Sequence, residues 1–215
     1  MANVNAPFGL RPVKHLDGSP WNGQVNLYYI AAADTAAYFI GDAVRSASGV
    51  AGDSGTGAGA VTLYGTRNAA STTGAMRGVV VGIGTSFDSP GGASPQAFNP
   101  NDLSQVSIPA TKNGLNYYVW VCDSPDTVFE AQTNTLTSAP YNQNAPLFVA
   151  TAPAAPAAYS ASYVQGSAVA VTQALPLKIL GGKYSIDNDL SGTAASAKLY
   201  VKINQHELAN NTVGV

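Results

Sequence analysis

Short apolar runs of alternating character recur along most of the chain, separated by glycine, proline and small polar residues, and this is the signature of strands rather than helices. The stretch 24–31, QVNLYYIA, opens with alternation at Val25 and Leu27 and is rich in strand formers. Residues 38–44, YFIGDAV, carry a Gly-Asp break that signals a turn or bulge, and 76–84, MRGVVVGIG, reads as a buried strand. The clearest signal is NYYVWVCD at 116–123, where Tyr117, Val119 and Val121 alternate with Tyr118, Trp120 and Cys122. Both sets are apolar, so both faces of this strand are expected to be covered, with Val119, Trp120 and Cys122 in the core. The SPD turn at 124–126 then lets TVFEAQ at 127–132 return antiparallel as a hairpin. PLFVA at 146–150, LPLKIL at 175–180 and AKLYVKIN at 197–204 complete the strands. In the last, Leu199, Val201 and Ile203 face a core, while Lys198, Tyr200 and Lys202 face water or a partner.

The stretches between the strands are turn-rich. Residues 46–60, SASGVAGDSGTGAGA, have little to bury and read as a mobile surface loop, 85–104 as a second long loop, and 151–164 as a Pro/Ala-rich third. Prolines and glycines pervade the first 23 residues and exclude helix, yet Phe8, Leu10, Val13 and Trp21 are more apolar content than a disordered tail carries. Residues 1–23 are therefore an extended N-terminal arm that becomes ordered by lying on its own domain, a sister subunit or another protein. No helix of three turns is defensible, and no repeat of the length of a solenoid unit is present. The expected fold is all-β, a β-barrel or β-sandwich body over 24–215 with the arm and long loops.

Charge sharpens this picture. Asp, Glu, Lys and Arg make up only 10% of the chain, so small polar residues must cover the surface, and a surface with so little repulsive charge favours association. Ten basic residues stand against twelve acidic ones, a net charge of −2, with no run of Lys or Arg. A nucleic-acid partner is not expected. The first residues lack the positive start and apolar stretch of a signal peptide, and no window is apolar for the length of a membrane span, so neither that export route nor a membrane partner is expected. The single cysteine, Cys122, reads as a small core residue in a reducing compartment.

Candidate chemistry is sparse. His15 and His206 lie too far apart in sequence for metal-ligand spacing and read as surface or interface residues, so no metal or cofactor is expected. GxSxG is absent. Of the carboxylates in strand context, Asp123 reads as the start of the Asp-Ser-Pro-Asp turn, capping its own backbone, and Glu130 as a solvated strand residue rather than half of a glycosidase pair. Residues 52–59, GDSGTGAG, lack the ending and spacing of a phosphate loop, and Asp187, Asn188 and Asp189 lack the rest of a calcium loop. The Asn210-Asn211-Thr212 triplet has the form of a glycosylation acceptor, without meaning in a chain not exported by that route. An enzyme would need a polar cleft with perturbed carboxylates that the sequence does not announce.

The opening NAPFGLRPVKHLDGSPWNG resembles the start of a family of tailed-bacteriophage structural proteins that begin with a PFGLRPV-type segment followed by a Gly and a Trp. The resemblance continues in YFIGDAV, RGVVVGIG, YYVWVCDSPDTVFEAQ and KLYVKINQHEL, which together cover about a third of the chain. It implies a non-enzymatic cement or decoration protein, with a β-barrel or β-sandwich body, on the outer capsid surface of a virion. Its partners would be the major capsid protein and further copies of itself, as a dimer or trimer. The family pattern falls on Pro7, Phe8, Gly9, Leu10, Arg11, Pro12 and Trp21, which are expected to form a capsid or intersubunit interface. The rival reading is a carbohydrate- or receptor-binding β module, which requires Trp120 or Trp21 on a concave exposed face.

Overall fold

A computed structural model describes residues 3–53, 56–84, 106–112, 114–136, 140–154, 157–191 and 194–209. Apart from one 3-10 turn at Gly166–Ala168, the regular elements among them are strands: β1 (Arg11–His15), β2 (Asn26–Ile30), β3 (Ala43–Ser46), β4 (Gly59–Leu63), β5 (Ala69–Ser71), β6 (Gly78–Ile83), β7 (Tyr117–Cys122), β8 (Thr127–Gln132), β9 (Asn144–Ala145), β10 (Leu147–Val149), β11 (Tyr163–Val164), β12 (Leu177–Gly182) and β13 (Lys198–Ile203). The fold is all-β.

Five strands, in the order β2-β4-β3-β6-β7, close a small barrel in which only β2 and β4 run parallel. A five-stranded antiparallel sheet runs β1-β8-β13-β12-β9, and a three-stranded one β11-β10-β5. A single apolar core serves barrel and sheets together: Val44, Val79 and Val119 from the barrel meet the same cluster as Phe129, Ile179 and Val201 from the five-stranded sheet. Tyr29, Ala58, Ala60 and Tyr118 form a second, smaller cluster on the opposite face of the barrel wall. That second cluster covers Tyr118 of β7, while Tyr117, Val119, Val121 and Cys122 belong to the main core.

The apolar alternation placed β2, β6, β7, β8, β10 and β13, but one expected pairing is not formed. β7 and β8 are not a hairpin: β7 lies between β2 and β6 in the barrel, whereas β8 lies between β1 and β13 in the sheet. Both edges of each strand are taken, so the 124–126 turn carries the chain from one sheet to the other. Of the residues expected in the core of β7, Val119 and Cys122 are fully buried, while Trp120 is only half-buried.

Two expected loops are shorter than the sequence suggests. Gly59 and Ala60 already belong to β4, and the Tyr29 and Tyr118 hydroxyls pin the preceding residues by donating to the Ala51 carbonyl and, at 3.1 Å, to Asp53 Oδ2. Tyr163 and Val164, at the end of the 151–164 stretch, form β11. The expected loop at 85–104 and the triplet at 210–212 lie outside the described residues.

The arm is extended, and it is built into the body. β1 pairs with β8 through Arg11 opposite Glu130 and His15 opposite Thr127, with a bulge after Pro12. This placement suits proline, because β1 is an edge strand of its sheet. Leu10 is 1% exposed and sits in the main core. The Gly9 and Leu10 amides donate to the Ser162 and Gly41 carbonyls at 3.1 and 2.9 Å.

Candidate functional site

Phe8, Leu10, Arg11, Pro12 and Trp21 converge on one hollow of about 470 Å³, completed by Ile40, Gly41, Val81 and Tyr159. The local sequence explains the convergence. Gly9 has φ +75° and Gly41 φ +93°, and a β-carbon added to either would meet the backbone of the other segment: one on Gly9 would lie 2.3 Å from Gly41 O, and one on Gly41 2.4 Å from Phe8 O. Only two glycines permit this crossing, which lays the arm flat across the barrel. Phe8 is thereby held on one rim, where the Arg11 guanidinium stands 5.1 Å from its ring centroid. Trp21 reaches the opposite side because the chain turns back after β1, with Trp21 N donating to Val13 O at 3.3 Å.

The floor comes from the barrel. A bulge between Val80 and Gly82 in β6 inserts Val81 as an extra residue, and its side chain lines this hollow and a second one of about 300 Å³ with Val25, Gly82 and Trp120. Gly82 leaves room for the Trp120 ring, whose Cδ1 would lie 3.1 Å from an added β-carbon. The two hollows thus form an apolar path over the barrel wall from Phe8 to Trp120. Tyr159, 62% exposed, overhangs the first and is held by pairing of Ile40 with 158–160.

Of the seven arm residues singled out in the sequence, five line the hollow, while Pro7 and Gly9 do not, Gly9 being spent on the crossing. Ile40, Val81 and Tyr159 were not singled out. A bulge signal at the Gly-Asp break hinted at the first, but nothing in a Pro/Ala-rich stretch announces Tyr159.

The carboxylates weighed as catalytic have structural partners. Glu130, read as solvated, is 2% exposed and paired with Arg11 Nη2 at 2.6 Å and Lys183 Nζ at 3.0 Å. Burial pushes its carboxyl up, but hydrogen bonds and charge from Arg11 and Lys183 outweigh that and hold it below its ordinary range. A strand residue needs a covered outer face to be so buried, and the arm supplies it. Asp123 does not cap its own turn; it accepts from Asn26 Nδ2 at 2.9 Å and from the Tyr28 hydroxyl at 2.6 Å, joining β7 to β2. His206, read as a surface or interface residue, is 1% exposed, accepts from the Leu208 amide at Nδ1, and is held below its ordinary pKa by burial. Two further carboxylates tie loops to the barrel: Asp42 takes both guanidinium nitrogens of Arg67 at 2.5 and 3.1 Å, and Asp34 lies 3.6 Å from the buried Lys112 ammonium.

Searches of family models, curated proteins and solved structures return no match for this chain. Among the described residues no three His, Cys, Asp or Glu side chains gather as a metal site, and no helix is long and apolar enough to cross a membrane. The hollow itself holds apolar and aromatic side chains, one guanidinium and one phenol, with no carboxylate or amide side chain in its lining. Such a lining can desolvate an apolar side chain and offer it one charged neighbour; it has no acid-base pair to offer.

Proposed function

We propose that this protein is a structural component of a bacteriophage virion that binds the outer surface of the capsid and stabilises the shell by bridging neighbouring capsomers. The observation that carries the reading is the convergence of Phe8, Leu10, Arg11 and Pro12, with Trp21, on one open apolar hollow. These are the residues through which the sequence resembles phage head-stabilising proteins; Arg11 is exposed, Phe8, Pro12 and Trp21 are partly exposed at the hollow, and buried Leu10 anchors the segment beneath them. Exposed apolar hollows with an aromatic anchor and an arginine are typical centres of protein interfaces. The charge-poor composition also favours association over a solitary existence in solution. A capsid-bound role needs no catalytic inventory, and the buried carboxylates are occupied by structural partners.

A carbohydrate-binding module fits less well. Trp21 and Trp120 both stand at hollows, but neither lining carries a carboxylate or amide side chain to pair with sugar hydroxyls beside the ring. Electron microscopy of intact particles tests the proposal: density for this chain is expected outside the shell, across a capsomer boundary, with Phe8 and Trp21 at the contact. Particles that lack the chain, or carry it only in the tail, would overturn it.

A further inference from the structure

The cations of the chain are not spread over its surface. Lys198, Tyr200 and Lys202 point away from the core on β13, since Leu199, Val201 and Ile203 point into it. Register then places other residues beside them on the same face of the five-stranded sheet. Lys202 lies opposite Lys178 on β12 and opposite Val128 on β8, and Val128 lies opposite Lys14 on β1. Three lysines thus fall on one line across four strands. Arg11, Glu130 and Tyr200 form the adjacent row, and Lys183, whose amide donates to Lys198 O at 3.0 Å, stands beside Lys198 in the next. Six of the ten cations in the chain occupy this face.

Their partners are unequal. Arg11 and Lys183 share Glu130, and Lys198 meets Asp187 at 3.2 Å. Lys14, Lys178 and Lys202 have no ion pair among the described residues, and Lys14 rests 5.3 Å from the Tyr200 ring. Lys178 and Lys202 are directly cross-strand, where α-carbons stand about 5 Å apart and like charges cost stability. Of the other four cations, Arg67, Lys112 and Arg77 each have a carboxylate, while Arg45 has no ion pair among the described residues but lies opposite Thr62 rather than a second cation. The opposed lysines weaken the isolated chain, and an outside carboxylate between them would turn that repulsion into attraction.

We infer that this face of the five-stranded sheet is a docking surface for an acidic protein surface, whose carboxylates bind between Lys178, Lys202 and Lys14. The inference deepens the reading above by naming the chemistry of the partner. A nucleic acid is the poorer occupant, because three unpaired lysines fall short of the roughly six to ten phosphate contacts of a firm complex. Arg11 belongs both to this face and to the hollow beside it, so the surface is continuous with the apolar site. The matching partner carries carboxylates next to a projecting apolar side chain.

The test titrates the full chain with a fluorescent oligoglutamate peptide at low salt, beside a single-stranded oligonucleotide of equal charge. The peptide is expected to bind, and the double variant Lys178→Gln, Lys202→Gln to bind it about tenfold more weakly or worse. Its melting temperature should equal or exceed that of the parent, since the substitution relieves a repulsion, and Arg45→Gln should bind like the parent. Unchanged binding by the double variant, an equal loss in Arg45→Gln, or tighter binding of the oligonucleotide would each overturn the assignment. Particle microscopy reads the capsid role separately, so failure of either proposal is visible without the other.

Discussion

Gly9 and Gly41 touch backbone to backbone, and no side chain can be added to either without moving a carbonyl group. Gly9→Ala and Gly41→Ala should each lose about 2 to 4 kcal/mol in urea unfolding, combining a positive φ with a direct clash. Glu130 presents the opposite problem, a buried charge held by two cations that are themselves partly in water. Glu130→Gln is expected to cost about 1 to 2 kcal/mol, less than a fully enclosed pair would. Because the folded carboxyl titrates below its ordinary range, the unfolded chain takes up the proton first. The stability from this residue is therefore present above that range and is lost as pH falls through it toward the folded value. His206 adds to the same slope at higher pH. Its folded pKa is depressed by burial, so the unfolded chain protonates first, and stability should fall as pH drops below the ordinary histidine value of about 6.5. In His206→Gln the chemical denaturation midpoint should lose its pH dependence between about pH 7 and 5, the window in which an ordinary histidine titrates.

At the scale of elements, strands with strong alternation were legible because a half-buried or fully buried ladder demands it: β2, β6, β7, β8 and β13 lie within the stretches read as strands, and β12 runs two glycines past the stretch read for it. The short strands β4, β5, β9 and β11 were not, since two to five residues are too few to carry a periodicity of their own. Pairing was legible only in part, because adjacency in sequence favours a hairpin, while the free edges available in the fold decide the partner. β7 and β8 are the case in point. The consequence for Cys122 is a thiol buried between two sheets and pushed up in pKa by burial. It should not react with a thiol reagent until the chain unfolds, which mass spectrometry across a denaturant series will read. Trp120→Ala should cost about 1 to 2 kcal/mol, below the loss typical of a fully buried tryptophan, because one side of the ring faces an open hollow. The arm also changes status. A chain lacking residues 2–22 would lose β1, uncover Glu130 and remove Leu10 from the core, so its circular dichroism should show a lost cooperative transition rather than a trimmed but native fold.

For the whole molecule, much of the candidate site is encoded in one continuous segment, and so five of its residues could be named from the amino-acid sequence alone. Tyr159, Val81 and the lysine face could not, because they depend on which distant strands become neighbours. Lys14, Lys178 and Lys202 come from three separate strands, and no local window of sequence contains two opposed lysines. The same neighbourhood has a mechanical side. β1 and β13 both run antiparallel to β8 and so run parallel to each other, at opposite ends of the described chain. Tension applied through the two chain ends pulls on the start of β1 and the finish of β13, which lie at opposite ends of the ladder. The interstrand bonds on both sides of β8 are then loaded together in shear instead of being unzipped one after another. Such a sheet should give way at high force and in a single step when stretched by its ends, yet peel readily when gripped at residue 11 and residue 132, where β1 and β8 can be opened from one end.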